Sequence, residues 1–495
     1  MRILYIDVDS LRPDHLGCYG YHRKTSPNID ELAADGRRFT NVYASDAPCL
    51  PSRTAFYTGR FGIHTGVINH GGLNADPRRH GPARGERYPR RFRTLASILG
   101  EQGLDTAMIS PFPARHDAWQ VVEGFDELYD TGGNGSERAD EVYPYARDWL
   151  AEHAAEDDWY LHVNFWDPHT EYTTPLEYGH PFADDPAPDW PPENVIERHY
   201  QGTGAQSAQD LCSWGDKRDA PRMPPDVASR EDFETMVDGY DVGVHYMDHH
   251  VGKLFDFLRD AGVFEDTLVV VSADHGENLG ELNVYGDHQT ADEPTCNVPL
   301  IVRGPDVEPG VDDEFRYQLD FPPTLVDIVG GDVPEGWDGR SFAGSVTGGG
   351  MDDGSGRERL VLSQGTWACQ RAVRWDDWLL IKTYHDALKS DLDDLMLFDL
   401  AHDPHETTNL ADEHPDVVRD GLSTLQEWID DRLLEAARGE RGGNPGAENA
   451  VTDPMWQVLR GKGPYYTWDA LEDYAEHLRR TGRGEHAAAL LERHG

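Results

Sequence analysis

The segment Cys49-Leu50-Pro51-Ser52-Arg53 puts a soft nucleophile, a helix-start signal and a cation within five residues. Proline in a helix's first turn loses no hydrogen bond, and the free N–H groups there favour an anionic ligand. Arg53 sits one helical turn beyond Cys49, where it can face the same point and neutralise charge. Far downstream, Ser272-Ala273-Asp274-His275-Gly276-Glu277 sets a carboxylate beside an imidazole. Adjacent O and N donors of this kind can serve one metal ion. Asp9 follows the first apolar run of the chain, and His169 stands in Asp167-Pro168-His169-Thr170-Glu171-Tyr172. A histidine at a strand end can protonate a leaving alkoxide or bind a substrate oxygen. Each residue also has a plain reading: a buried structural cysteine, a helix-capping aspartate, one of 23 ordinary histidines.

These groups need a scaffold that aims them at one place, and the apolar runs supply it. Residues 3–8, 38–43, 104–110, 159–165, 267–272 and 298–303 read as buried strands of a mostly parallel sheet. Asp9, Asp167 to His169, and Asp274 with His275 all follow strand carboxyl ends, where α/β sheets bind their ligands. Helices are expected over 28–36, 94–103, 137–153 and 231–261; the last has Tyr240, Val244, Met247, Val251, Leu254 and Leu258 at helical spacing, a packing stripe. Residues 179–230 are rich in Pro, Asp and Gly and read as an insertion or lid, within which Cys212 and Trp214 either anchor the loop or touch substrate, anchoring being the reading favoured. The Gly- and Ser-rich stretch 339–357 reads as a linker, since no Gly-Lys-Ser/Thr follows its glycines. Beyond it come short alternating strands and a helix over 414–438. The expected organisation is a catalytic α/β domain over 1–345, a small C-terminal antiparallel sheet with a helix over 356–438, and a helical tail over 439–495.

Ninety-one acidic residues against 44 basic ones give a net charge of −47, and only six of the basic residues are Lys. Such a surface repels nucleic acid and anionic membranes. It reads as an adaptation to concentrated salt, which shortens the screening length to roughly 3 Å at 1 M. The five cysteines, 18, 49, 212, 296 and 369, are scattered and show no zinc-like spacing. An apolar strand begins almost at Met1, and no apolar run is long enough to span a bilayer. The expectation is a reduced, soluble, cytoplasmic protein.

The unbroken run from Cys49 to Thr58-Gly59-Arg60 resembles the signature of the sulfatase family within the alkaline-phosphatase-like superfamily. Ser-Asp-His-Gly-Glu resembles the second metal motif of that family, and residues 1 to about 435 follow its order. The resemblance implies an alkaline-phosphatase-like α/β sandwich: a large mostly parallel sheet flanked by helices, plus the small C-terminal sheet and helix. It implies that a formylglycine-generating enzyme oxidises Cys49 to formylglycine, and that Asp9, Asp274, His275 and modified Cys49 hold one divalent ion, Ca, Mn or Mg. It further implies hydrolysis of a small-molecule or carbohydrate sulfate ester, with Arg53 stabilising charge, His169 as general acid, and His288 and Asn69 facing substrate. Three departures point towards the phosphonate monoester and phosphodiester hydrolase branch. Ser10 stands where many sulfatases have a second aspartate. Asn69 matches a pocket position of that branch. The Lys and His that usually hold sulfate are replaced by Ser110-Pro111-Phe112-Pro113-Ala114-Arg115-His116, in which spacing assigns neither Arg115 nor His116. A non-catalytic anion-binding member of the fold is the third reading, and a homo-oligomer is compatible with all three.

Overall fold

The computed structural model describes residues 1–78, 93–211, 220–348, 354–440 and 452–494. Its large sheet runs in the order Gly310–Asp312, Arg37–Tyr43, Asn297–Arg303, Thr267–Ala273, Arg2–Val8, Trp159–Phe165, Asp105–Ile109, Glu127–Tyr129, with Arg316–Tyr317 pairing on Arg37–Tyr43. The three central strands are parallel and in step: Val8 pairs with both Phe165 and Ala273. That register sets Asp9, Trp166 and Asp274 side by side at one edge. The strands are fully buried, as expected of runs such as Leu268-Val269-Val270-Val271 covered by helices on both faces. One of these helices, Arg230–Asp260, starts at Ser229, whose hydroxyl accepts from the Asp232 N–H, and packs on Ala139–His153 and Pro27–Ala34.

The second sheet runs Leu395–Asp399, Trp378–His385, Cys369–Trp375, Arg359–Gln364 and then Asp46–Ala47. This last strand lies parallel to Arg359–Gln364, with Ser363 opposite Asp46. The expected division between 1–345 and 356–438 is thus crossed by hydrogen bonds two residues before Cys49. The helix Pro415–Arg438 covers the sheet through Val418 and Leu425. The stretch expected to be a linker is packed over 339–348. Phe342 and Val346 are buried, and the Phe342 ring meets Phe39 at 5.2 Å, because two apolar residues in a glycine-rich text suffice to dock it. Cys212, Trp214, Gly349 and Gly350 lie outside the described residues.

Helices Pro454–Arg460, Ala470–Arg480 and Gly484–His494 fold back on the body of the same chain. Arg371 grips Asp453 with two bonds of 2.6 and 2.7 Å, and Tyr474 and Leu478 pack on Leu388. Among the described residues no helix is long and apolar enough to cross a membrane.

Candidate active site

Cys49 opens the fully buried helix Cys49–Thr58. The helix stops at Gly59, whose backbone is left-handed (φ 61°) and whose missing Cβ leaves room for the Trp337 ring. The Thr58-Gly59-Arg60 end of the signature is therefore a helix stop that fixes the helix against the core. The Ser52 hydroxyl donates to the carbonyl of Asp274 at 2.6 Å and so ties the helix to the strand end carrying Asp274 and His275.

Ligand atoms of Asp9, Cys49, Asp274 and His275 all lie within 4.8 Å of one another, and all four residues are buried. His275 Nδ1 donates to the Gly276 carbonyl at 2.8 Å, which leaves the Nε2 lone pair facing Cys49 Sγ at 3.0 Å. Arg53 Nε donates to Asp7 at 2.9 Å, and Nη1 donates to Asp9 at 3.0 Å and to Asp274. Burial pushes Asp9 up, but Arg53, His169, His275 and His288 outweigh it and hold the carboxyl well below its ordinary range. For Asp274, burial and the neighbouring Asp9 and Asp7 prevail over Arg53, and the carboxyl is raised. Three buried carboxylates thus share one guanidinium, whose Nη2 has no hydrogen-bond partner among the described residues. Excess negative charge, two carboxylates and an imidazole lone pair on one point fit a divalent cation.

Ser10 bonds to both carboxylates of the cluster. Its hydroxyl donates to Asp9 at 3.3 Å and its N–H to Asp274 at 3.3 Å. Burial and Asp9 push the Cys49 thiol up to about 12, so the unmodified side chain is a poor nucleophile at neutral pH.

A cavity of about 200 Å3 opens over Cys49. His169 and His288 line it, their ring centroids 5.3 Å apart, and His288 lies 4.1 Å from the His275 ring. Burial lowers His169, with Asp9 opposing. Burial would also lower His288, but Asp287, Cys49 and Glu277 raise it. The two rings are thus biased in opposite directions, His169 towards the neutral form and His288 towards the protonated one. Arg115 and His116 are both on the wall, and the Arg115 guanidinium lies 4.9 Å from the Trp166 ring. The position left unassigned by spacing therefore delivers a cation to the cavity.

Asn69 is not among the residues lining the cavity; its neighbour His70 is. The Asn69 carbonyl oxygen accepts from the N–H groups of His70 (3.0 Å) and Tyr465 (3.1 Å), and its amide donates to Leu73. The expected substrate contact is instead the pin of a turn. Sequence reasoning missed Gln206, Trp367 and Tyr466, which also line the cavity. They come from the insertion, the small sheet and the tail, and no motif marks them.

Residues 2–331 match the sulfatase family model, and residues 280–430 match the model described as N-sulphoglucosamine sulphohydrolase, C-terminal. The choline-sulfatase of Rhizobium meliloti is 26% identical over 482 residues, covering 90% of this chain and 88% of that protein. The N-acetylglucosamine-6-O-sulfatase of Bacteroides thetaiotaomicron is 23% identical, covering 82% of each. The solved phosphonate monoester hydrolase of Agrobacterium radiobacter shares the fold at a TM-score of 0.65 and 20% identity, over 87% of this chain and 96% of that one. A family model spanning well over half the chain, together with a cluster of buried ligands at its strand ends, places this protein in the sulfatase family, enzymes that hydrolyse sulfuric esters.

Proposed function

We propose that the protein hydrolyses a small sulfate monoester, using a formylglycine made from Cys49 by a formylglycine-generating enzyme and one divalent cation held by Asp9, Asp274, His275 and residue 49. The observation that carries this reading is the convergence of those four residues behind a cavity, with Arg53 bridging the two carboxylates. A bound cation would supply Lewis-acid stabilisation and make a nearby hydroxyl acidic enough to attack at neutral pH. The hydrated aldehyde would offer two hydroxyls on one carbon, one for attack at sulfur and one to expel sulfate afterwards. Arg53 holds Asp9 and Asp274 in place and offers its unpartnered Nη2 hydrogens to the charge that develops at the reacting centre. Arg115 draws the anionic ester into a cavity on an otherwise acidic protein. The leaving alkoxide takes its proton from the His169 and His288 pair.

Peptide mass spectrometry across Cys49, on protein from a host able to mature it, tests the nucleophile. The aldehyde or its hydrate is expected, and an intact thiol in active protein refutes it. Loss of the proton donor should slow an alkyl sulfate far more than 4-nitrophenyl sulfate, whose leaving group needs no proton. Comparing His169→Ala with His288→Ala on both esters assigns the role.

Ser10 favours a second reading, hydrolysis of phosphonate monoesters. Its other two grounds are weaker, since Asn69 pins a turn and Arg115 with His116 occupy the wall. Faster turnover of an aryl phosphonate than of an aryl sulfate would decide for it.

A further inference from the structure

The tail is the least expected contributor to the cavity, and its contact there has a readable proton order. The Leu50 N–H, beside the nucleophile position, donates to His70 Nε2 at 3.3 Å. That nitrogen must therefore be the lone-pair side of the ring. Burial and the surrounding cations hold His70 neutral, so Nδ1 carries the hydrogen. Nδ1 lies 3.2 Å from the Tyr466 hydroxyl, which consequently accepts. The hydrogen of that hydroxyl is left over, and the described residues offer it no acceptor within hydrogen-bonding distance. The phenol ring is stacked on Trp367, centroids 4.6 Å apart at 24°, on the wall of the cavity. Its backbone is fixed on both sides: Asn69 accepts the Tyr465 N–H, and Thr366 accepts the Tyr466 N–H at 3.3 Å.

We propose that Tyr466, from a tail beyond both matched family models, is a substrate-binding residue that donates its hydroxyl hydrogen to an oxygen of the bound ester. Asn69 is the positioning residue that holds the Tyr465–Thr467 turn in place. With the tail as one wall, a cavity of about 200 Å3 is below the range of roughly 300–1,000 Å3 that takes drug-sized ligands. It therefore has room for the ester group and one compact unit attached to it. The inference rests on the sulfate-ester reading for its ligand, and its test includes a readout independent of turnover.

The probes are 4-nitrophenyl sulfate, choline sulfate and glucosamine 6-sulfate, each titrated calorimetrically into Cys49→Ala protein loaded with a divalent cation, with and without Tyr466→Phe. Removing a hydrogen-bond donor from a buried site should weaken the best-bound probe by about tenfold. The melting temperature should stay put, since the ring keeps its stack on Trp367. In the active enzyme the same change should raise KM with little effect on kcat. Asn69→Ala should raise KM in the same direction, and Tyr466→Phe added to it should cost less than it does alone. Equal affinity of the Tyr and Phe forms overturns the inference, as does failure of Cys49→Ala to bind any of the three probes. A wild-type enzyme that hydrolyses none of them, while Cys49→Ala binds one through Tyr466, refutes the proposed hydrolysis of small sulfate esters and leaves this inference standing.

Discussion

Replacing Arg53 with methionine tests the electrostatic logic of the site. Methionine keeps the aliphatic stem and loses the guanidinium, whose carbon lies 4.4 Å from the centre of the Phe112 ring. It removes the cation that Asp7, Asp9 and Asp274 share, all at least nine-tenths buried. Leaving buried charge without its partner costs about 3–5 kcal/mol. The unfolding entropy of a 495-residue chain is about 1 kcal/mol per kelvin, from about 2.1 cal/mol/K per residue. The metal-free variant should therefore melt about 4 °C below the metal-free wild type. A divalent cation on Asp9 and Asp274 neutralises two of the same three carboxylates, so in its presence the loss should shrink to about a third. Its affinity should also rise, because Arg53 no longer competes for those oxygens. The assay is scanning calorimetry of both proteins in EDTA and again with added Ca, Mn or Mg. An equal loss with and without the cation would refute the idea that the guanidinium and a metal share these carboxylates.

Three further outcomes are expected. Lys389 is buried against the carbonyls of Ala205 and Asn283, and burial brings it down from 10.5 to about 8. A lysine lowered in this way is penalised while charged in both states and relieved where only the unfolded chain stays protonated, so it adds stability as pH rises from about 8 to 10.5. Relative to Lys389→Met, the wild type should gain about 3 kcal/mol across that window, read from paired melts; a constant difference would refute it. Arg483 donates twice to Asp210, at 2.8 and 2.7 Å, and clamps the tail onto the loop that carries Gln206. Arg483→Met should lose about 2 kcal/mol of stability and raise KM, while a change in stability alone would separate the clamp from the cavity. Raising KCl from about 0.1 to 1 M should raise the melting temperature, because the screening length falls from about 10 to 3 Å around a charge of −47. A falling melting temperature would count against salt adaptation.

What the sequence discloses of this molecule follows from how local each signal is. The central strands are legible because burial on both faces demands continuous β-branched runs, and their register carries Asp9 and Asp274 to one edge. The helix at Cys49 and its stop at Gly59 are legible from Pro51 and the glycine. Position within a turn is harder. Asn69 and His70 are adjacent, and only the path of the backbone decides which side chain enters the cavity. The Asp46–Ala47 strand is two residues long, too short for any periodicity, yet it joins the nucleophile helix to the second sheet. Gln206 and Tyr466 are invisible for a different reason. Their places on the cavity wall come from long-range docking of Asp210 on Arg483 and of Asn69 on Tyr465, pairings that leave no local pattern.

The return of the tail to the site has a consequence in time. During synthesis Asp9 and Cys49 emerge first, wait for the strand Thr267–Ala273 to bring Asp274 and His275, and gain Tyr466 later still. On the proposed reading, reactivity and discrimination are assembled in separate stages of the chain's life, the first from the sheet and the second from a wrapper laid over it. Removing the chain beyond the helix Pro415–Arg438 would leave the charged cluster whole and open the cavity beside His70. On the reading proposed for Tyr466, the protein shortened in this way should admit a wider range of esters rather than fall silent.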